Sequence, residues 1–211
     1  MSRQRSSKRS GSKRSELDHY SLRAKKEGYP ARSVYKLEEL NSKFRIFNRN
    51  SRILDIGAAP GSWTLYCLRK TAKDSLVAGI DLKDLTISKN DARLFFIKGD
   101  FFDEKNQSEL LAKGPYDAVI SDAAPATTGN RTVDAGRSFS LAAGIIGIAG
   151  LMLVPGGNLT IKIFQGGDEK ELVGMLAEIF ETAKIFKPKA CRRESFETYI
   201  VGLNYKGSDE E

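Results

Sequence analysis

The chain has 211 residues, 40 % hydrophobic and 9 % aromatic, with 34 Lys+Arg against 27 Asp+Glu and a formal charge of +7. That is the length of one ordinary domain with enough apolar content for a core, which excludes two full domains and general disorder. Two cysteines exclude a disulfide framework or a four-cysteine zinc site, one histidine removes most histidine catalysis and metal clusters, and no apolar run reaches the ~20 residues of a membrane span.

Residues 1–14 carry Arg3, Arg5, Lys8, Arg9, Lys13 and Arg14 and no acid. This Ser/Gly-rich start has no apolar periodicity and no apolar core of a secretory signal, and it predicts a disordered arm over 1–17. The positive charge continues through residues 15–52, with nine basic and five acidic side chains, whereas 53–206 is balanced at 19 of each. An acidic tail, 207–211, ends in Asp209, Glu210 and Glu211. One domain over 18–206 is expected, its front part (18–50) helical and basic. Clustered Lys and Arg of this kind suit nucleic-acid phosphates, while a solubilising tail is the plainer alternative.

Ser33 can cap an amphipathic helix to Phe44, with Val34, Leu37, Leu40 and Phe44 on one stripe and Lys36 at its edge. From residue 52 strands and helices alternate. Strands are expected at Arg52–Ile56, Leu76–Asp81, Leu94–Lys98, Tyr116–Asp122 and Asn158–Phe164. Helices are expected from Ser62 to Thr71, at Glu104–Lys113, at Ala135–Leu153 and, capped by Asp168, to Phe180. The glycine-interrupted run Leu141–Val154 reads as a buried helix that stops at Pro155. Such alternation implies βαβ units and a mainly parallel sheet, and Lys184–Phe186 with Thr198–Asn204 reads as an antiparallel hairpin at one edge.

In open α/β sheets ligands bind beyond the carboxyl ends of the strands. There the first strand runs into Gly57-Ala-Ala-Pro-Gly-Ser-Trp63, a small-residue turn that lets backbone approach a ligand. The next strands end in Asp81, Asp100 and Asp122; an acid after the second strand is what a ribose diol needs. Each alone would be an ordinary turn or cap. Together they suit an adenosine-containing cofactor, and up to this point nicotinamide and S-adenosylmethionine cofactors remain equally open. The G-x-G-x-x-G of a nicotinamide enzyme is absent.

Six segments stand in a recognisable order: Arg32-Ser-Val-Tyr-Lys36, Gly57 to Trp63, Ser121-Asp-Ala-Ala-Pro125, Leu153-Val-Pro-Gly-Gly157, Ile161-Lys-Ile-Phe-Gln-Gly166 and Glu197-Thr-Tyr-Ile-Val201. Over residues 18 to 205 the chain resembles the FtsJ/RrmJ family of RNA ribose 2′-O-methyltransferases. Ser62, where relatives often have glycine, is a small departure. The resemblance implies a Rossmann-like α/β fold that uses S-adenosylmethionine, with a seven-stranded, mainly parallel sheet, a last strand inserted antiparallel and helices on both faces. It implies a catalytic set of Lys36, Asp122, Lys162 and Glu197, cofactor contacts at Gly61, Trp63, Asp81, Asp100 and Asp122, and no metal. The short single-domain form is similar to bacterial members acting on a uridine of 23S ribosomal RNA in the assembled large subunit; a transfer RNA anticodon loop is the rival substrate. A cytoplasmic monomer is expected, and a non-enzymatic ribosome-assembly factor is a further alternative.

The reaction would be in-line attack of a ribose 2′-oxygen on a sulfonium methyl. A lysine in an apolar strand, as Lys162 is, is costly unless paired. A neighbouring lysine and burial both lower a lysine pKa, so the Lys36–Lys162 pair could make Lys162 a neutral base. It could equally hold the developing alkoxide as a cation, and the sequence does not choose. Asp122 would orient Lys162, and Glu197 the lysines or the ribose. His19, Cys67 and Cys191 read as structural or incidental.

Overall fold

A computed structural model describes residues 19–192 and 194–207. The basic arm expected over 1–17 lies outside these residues, as does the acidic tail beyond Gly207. The front of the chain forms α1 (residues 19–26) and α2 (Val34–Phe44). Then come β1 (Ile53–Ile56), α3 (Ser62–Lys70), β2 (Val77–Asp81), β3 (Leu94–Lys98), α4 (Glu104–Lys113) and β4 (Tyr116–Ser121). The chain continues through α5 (Arg131–Met152), β5 (Leu153–Phe164), α6 (Glu169–Ile179), β6 (Phe180–Phe186) and β7 (Glu197–Tyr205).

The strands form one seven-stranded sheet in the order β3-β2-β1-β4-β5-β7-β6. β1 to β5 pair in parallel, and β7 runs antiparallel to both β5 and β6. The antiparallel pair at one edge and the inserted last strand are both as expected: β7 lies inside the sheet and β6 forms its edge.

Strand pleat sends alternate residues to two cores. Leu54, Val119, Leu159 and Ile161 pack under α4, α5 and α6, among Leu110, Ile145, Ile146, Leu172 and Leu176. Ile53, Ile120, Tyr199 and Val201 face α2 and α3, among Leu37, Leu40, Trp63 and Cys67. Leu37 and Leu40 are both fully buried, so the α2 stripe read from the 3.6 period is its anchor. Truncating Leu40 to Ala would cost about 2–5 kcal/mol. α5 is long and apolar enough to cross a membrane by length and composition. Its inward side chains Ala142, Ile145, Ile146, Ala149 and Met152 are spent on the sheet core.

Several boundaries differ from the expectation. Ser33 makes no side-chain cap; its carbonyl instead accepts the Trp63 indole N–H at 2.9 Å. Asp168 makes none either, and the Glu169 carboxylate takes the N–H groups of Gly166 and Gly167, each at 3.0 Å. α5 starts at Arg131, capped by Asn130, which accepts from the N–H of Thr132 and Val133. The polar stretch Arg131–Asp134 hides this turn from an apolar-period reading. β5 begins at Leu153, running through Pro155-Gly156-Gly157 with a register shift against β4, and β6 begins at Phe180 directly where α6 ends.

Candidate active site

The carboxyl ends of β1, β2, β3 and β4 open into a cleft of about 740 Å³. One wall is the β1–α3 loop. Gly57 has φ +79°, and a Cβ there would stand 2.7 Å from the Ala123 Cα, so glycine alone lets this loop lie against the chain leaving β4. Asp81, Asp100 and Asp122 all line the cleft, with Leu82, Phe101, Phe102 and Ile145 as apolar surface. Asp81 is fixed by two backbone N–H groups, from Ala59 at 2.9 Å and Lys83 at 2.8 Å. Asp100 accepts from the Phe102 N–H at 2.9 Å. A carboxylate has about four acceptor sites, so both keep capacity for a ligand.

Gly61 and Trp63, expected among the cofactor contacts, do not line the cleft. A Cβ on Gly61, whose φ is +112°, would meet Ile87 at 2.9 Å, so Gly61 serves the turn that starts α3. Trp63 is buried, stacked on Tyr199 with ring centroids 5.9 Å apart. It thereby packs against the ring whose hydroxyl reaches Asp122.

The four expected catalytic side chains come together from four elements. Lys36 of α2 is ion-paired with Glu197, at the start of β7, at 2.9 Å. Lys162 of β5 is ion-paired with Asp122 at 3.1 Å and also donates to the Asp122 carbonyl. Burial pulls the Lys36 pKa down, but the charges of Asp122 and Glu197 and the Glu197 hydrogen bond outweigh it, leaving the pKa raised. Lys36 is therefore held as an ammonium rather than discharged by its lysine neighbour. Its place at the edge of the α2 stripe resolves into near-complete burial against that carboxylate.

The sequence reading left two groups without a role. Tyr199 lies opposite Lys162 in the β5–β7 register, and its hydroxyl donates to Asp122 at 2.7 Å. Burial, then the Asp122 charge and hydrogen bond, push its pKa well above the usual phenol value. Only the strand register reveals it. Asp55, in the middle of β1, is fully buried and accepts from the Thr64 hydroxyl at 2.7 Å, while its other oxygen has no partner among the described residues. An acid inside Ile53-Leu-Asp-Ile56 was a visible signal.

The β6–β7 connector, residues 187–196, is laced to α2. The Glu39 carboxylate accepts the N–H groups of Lys189 and Ala190, each at 2.8 Å, and Arg32 donates to the Ala190 carbonyl at 2.7 Å. Cys191 lies against Glu197; burial, then that carboxylate, push its thiol up to about 12, against the pull of Lys36. Among the described residues no group of three or more His, Cys, Asp or Glu could hold a metal ion.

A family model described as FtsJ-like methyltransferase matches residues 29–205. The chain belongs to the FtsJ-like methyltransferase family. A Treponema denticola protein named ribosomal RNA large subunit methyltransferase E is 53 % identical over 195 residues, covering 92 % of this chain and 98 % of the relative. A Plasmodium falciparum ribosomal RNA methyltransferase crystal structure is 29 % identical with a TM-score of 0.72, covering 85 % of this chain and all of that one. Fibrillarin from Aeropyrum pernix, solved with bound S-adenosyl-L-methionine, shares the fold at a TM-score of 0.58 and 18 % identity, covering 81 % of this chain and 76 % of that one. Across this FtsJ-like chain the methyltransferase fold and the lysine–carboxylate cluster thus coincide.

Proposed function

We propose that the protein methylates a ribose 2′-hydroxyl of RNA from S-adenosylmethionine, on a uridine of 23S ribosomal RNA in the assembled large subunit. The observation that carries the reading is Asp122, which lines the cofactor-sized cleft and also belongs to the lysine–carboxylate cluster. One residue thus joins a binding site to a set of groups able to manage a hydroxyl. The name of the Treponema relative supports the large ribosomal subunit as substrate.

The cleft fits the cofactor. Asp81 and Asp100 would accept from ribose hydroxyls and an amino group, Leu82 and Phe102 would cover a purine, and the Gly57 turn would admit the rest. When bound, S-adenosylmethionine supplies a methyl group on a sulfonium, an electrophile that needs little further activation. The chain's own work is to place and polarise the alcohol. Lys162, held in place by Asp122, presents its Nζ to the 2′-oxygen and stabilises the negative charge that develops there as the hydroxyl proton passes to solvent water. Tyr199 fixes Asp122 by its second hydrogen bond, and Glu197 holds Lys36 where it adds a further positive charge. This is the electrostatic one of the two roles open for Lys162.

The protein acts as a cytoplasmic monomer, with the arm and the basic front gripping phosphates. Incubation with radiolabelled S-adenosylmethionine tests the reading, using large subunits from a strain lacking the protein and free transfer RNA in parallel. Transfer to the subunits alone is expected, and Lys162→Met should abolish it while cofactor binding persists. Transfer to transfer RNA alone would overturn the substrate. Wild-type binding of subunits without any transfer would favour an assembly factor.

A further inference from the structure

Just past the catalytic cluster, two aromatic rings lie only half-buried. Phe164 ends β5 and Phe196 immediately precedes β7, with ring centroids 4.7 Å apart and planes at 53°. The backbone fixes the pair: Phe164 stands opposite Glu197 in the register, and the Gln165 N–H donates to the Phe196 carbonyl at 2.7 Å. Strand alternation puts Phe164 on the Lys162 side of β5, about 7 Å farther along. Neither ring belongs to either hydrophobic core. Arg131, exposed at the start of α5, has its guanidinium carbon 5.3 Å from the Phe196 ring centroid. Among the described residues its N–H donors have no hydrogen-bond or ion-pair partner.

We propose that Phe164, Phe196 and Arg131 form the platform for the base of the nucleotide being methylated. The inference rests on the function proposed above. A ribose whose 2′-oxygen reaches Lys162 carries its base on the neighbouring carbon, so the base lies within one nucleoside's length of the reacting atom. Phe164 stands at that range, on the same side of the sheet. A base drawn out of an RNA loop loses its stacking neighbours, and an aromatic face beside a guanidinium plane replaces them. The uncommitted donors of Arg131 suit the carbonyl oxygens on a pyrimidine edge. A base seated here would align the ribose with the catalytic groups, so the platform contributes orientation as well as affinity.

Steady-state methyl transfer to large subunits from a strain lacking the protein tests this with Phe196→Leu and Phe196→Tyr. Leucine keeps bulk without an aromatic face and should lower kcat/KM at least about tenfold, with much of the loss in kcat. Tyrosine should recover most of that loss. S-adenosylmethionine affinity and the thermal midpoint should stay at wild-type values in both variants. Full kcat/KM in Phe196→Leu, or equal damage in both variants, would overturn the platform and leave the proposed reaction standing. Absence of transfer by the wild-type protein would overturn the reaction and the platform with it.

Discussion

Asp55 makes stability depend on pH in a direction opposite to that of an ordinary paired carboxylate. Burial lifts its carboxyl from 3.8 to about 7, the Asp122 and Asp81 charges add to the rise, and the Thr64 hydrogen bond opposes it. Between these two values the folded protein keeps a proton that the unfolded chain releases. The associated stability is fully present below pH 3.8 and is lost as pH rises through about 7. The gap corresponds to about 4 kcal/mol. Asp55→Asn removes the titration but keeps an acceptor for Thr64. Urea unfolding of wild type and variant at pH 5 and pH 8 isolates the effect, because every other group titrates alike in both. The stability of the wild type relative to Asp55→Asn should fall by about 3 kcal/mol between the two conditions. A difference that stays flat with pH would refute the argument and mean that the folded protein holds Asp55 ionised at both.

Gly57→Ala would place a methyl group 2.7 Å from Ala123 at a positive φ, and S-adenosylmethionine affinity by equilibrium dialysis should drop about tenfold. Glu39→Ala would free two N–H groups of the β6–β7 connector, costing about 1–2 kcal/mol in urea unfolding and lowering kcat as Glu197 loosens. Deleting residues 1–14 should weaken binding to large subunits, most strongly at low salt, and make that binding less salt-dependent, while cofactor affinity is unchanged. Loss of cofactor binding on that deletion would show that the basic start and the cofactor cleft are not separate in function.

Much of the fold was legible because its signals are local. Tyr116–Ser121 is a buried strand by composition, and Glu104–Lys113 is a helix bounded by Asp103 and Gly114. The three acids of the cleft were legible for the same reason, each following a recognisable strand. What escaped depends on partners distant in sequence. Pro155-Gly156-Gly157 read as a turn because the pairing with β4 that extends β5 through it is not written locally. Trp63 could be read as core or as a ligand contact, and only its distant partners Ser33 and Tyr199 show where its indole is held. Lys36 needed Glu197, 161 positions later, before its burial made sense. Tyr199 acquired its role only from being opposite Lys162.

The insertion of β7 between β5 and β6 has a consequence for synthesis. The sheet from β3 to β5 can pair as soon as those strands exist, but Glu197 and Tyr199 reach Lys36 and Asp122 only when β7 slots in from far along the chain. A chain whose β7 has yet to pair, as during synthesis, would hold the residues of the cleft but lack Glu197 beside Lys36 and Tyr199 beside Asp122. Methyl transfer by the proposed enzyme would thus double as a readout that β7 has found its place.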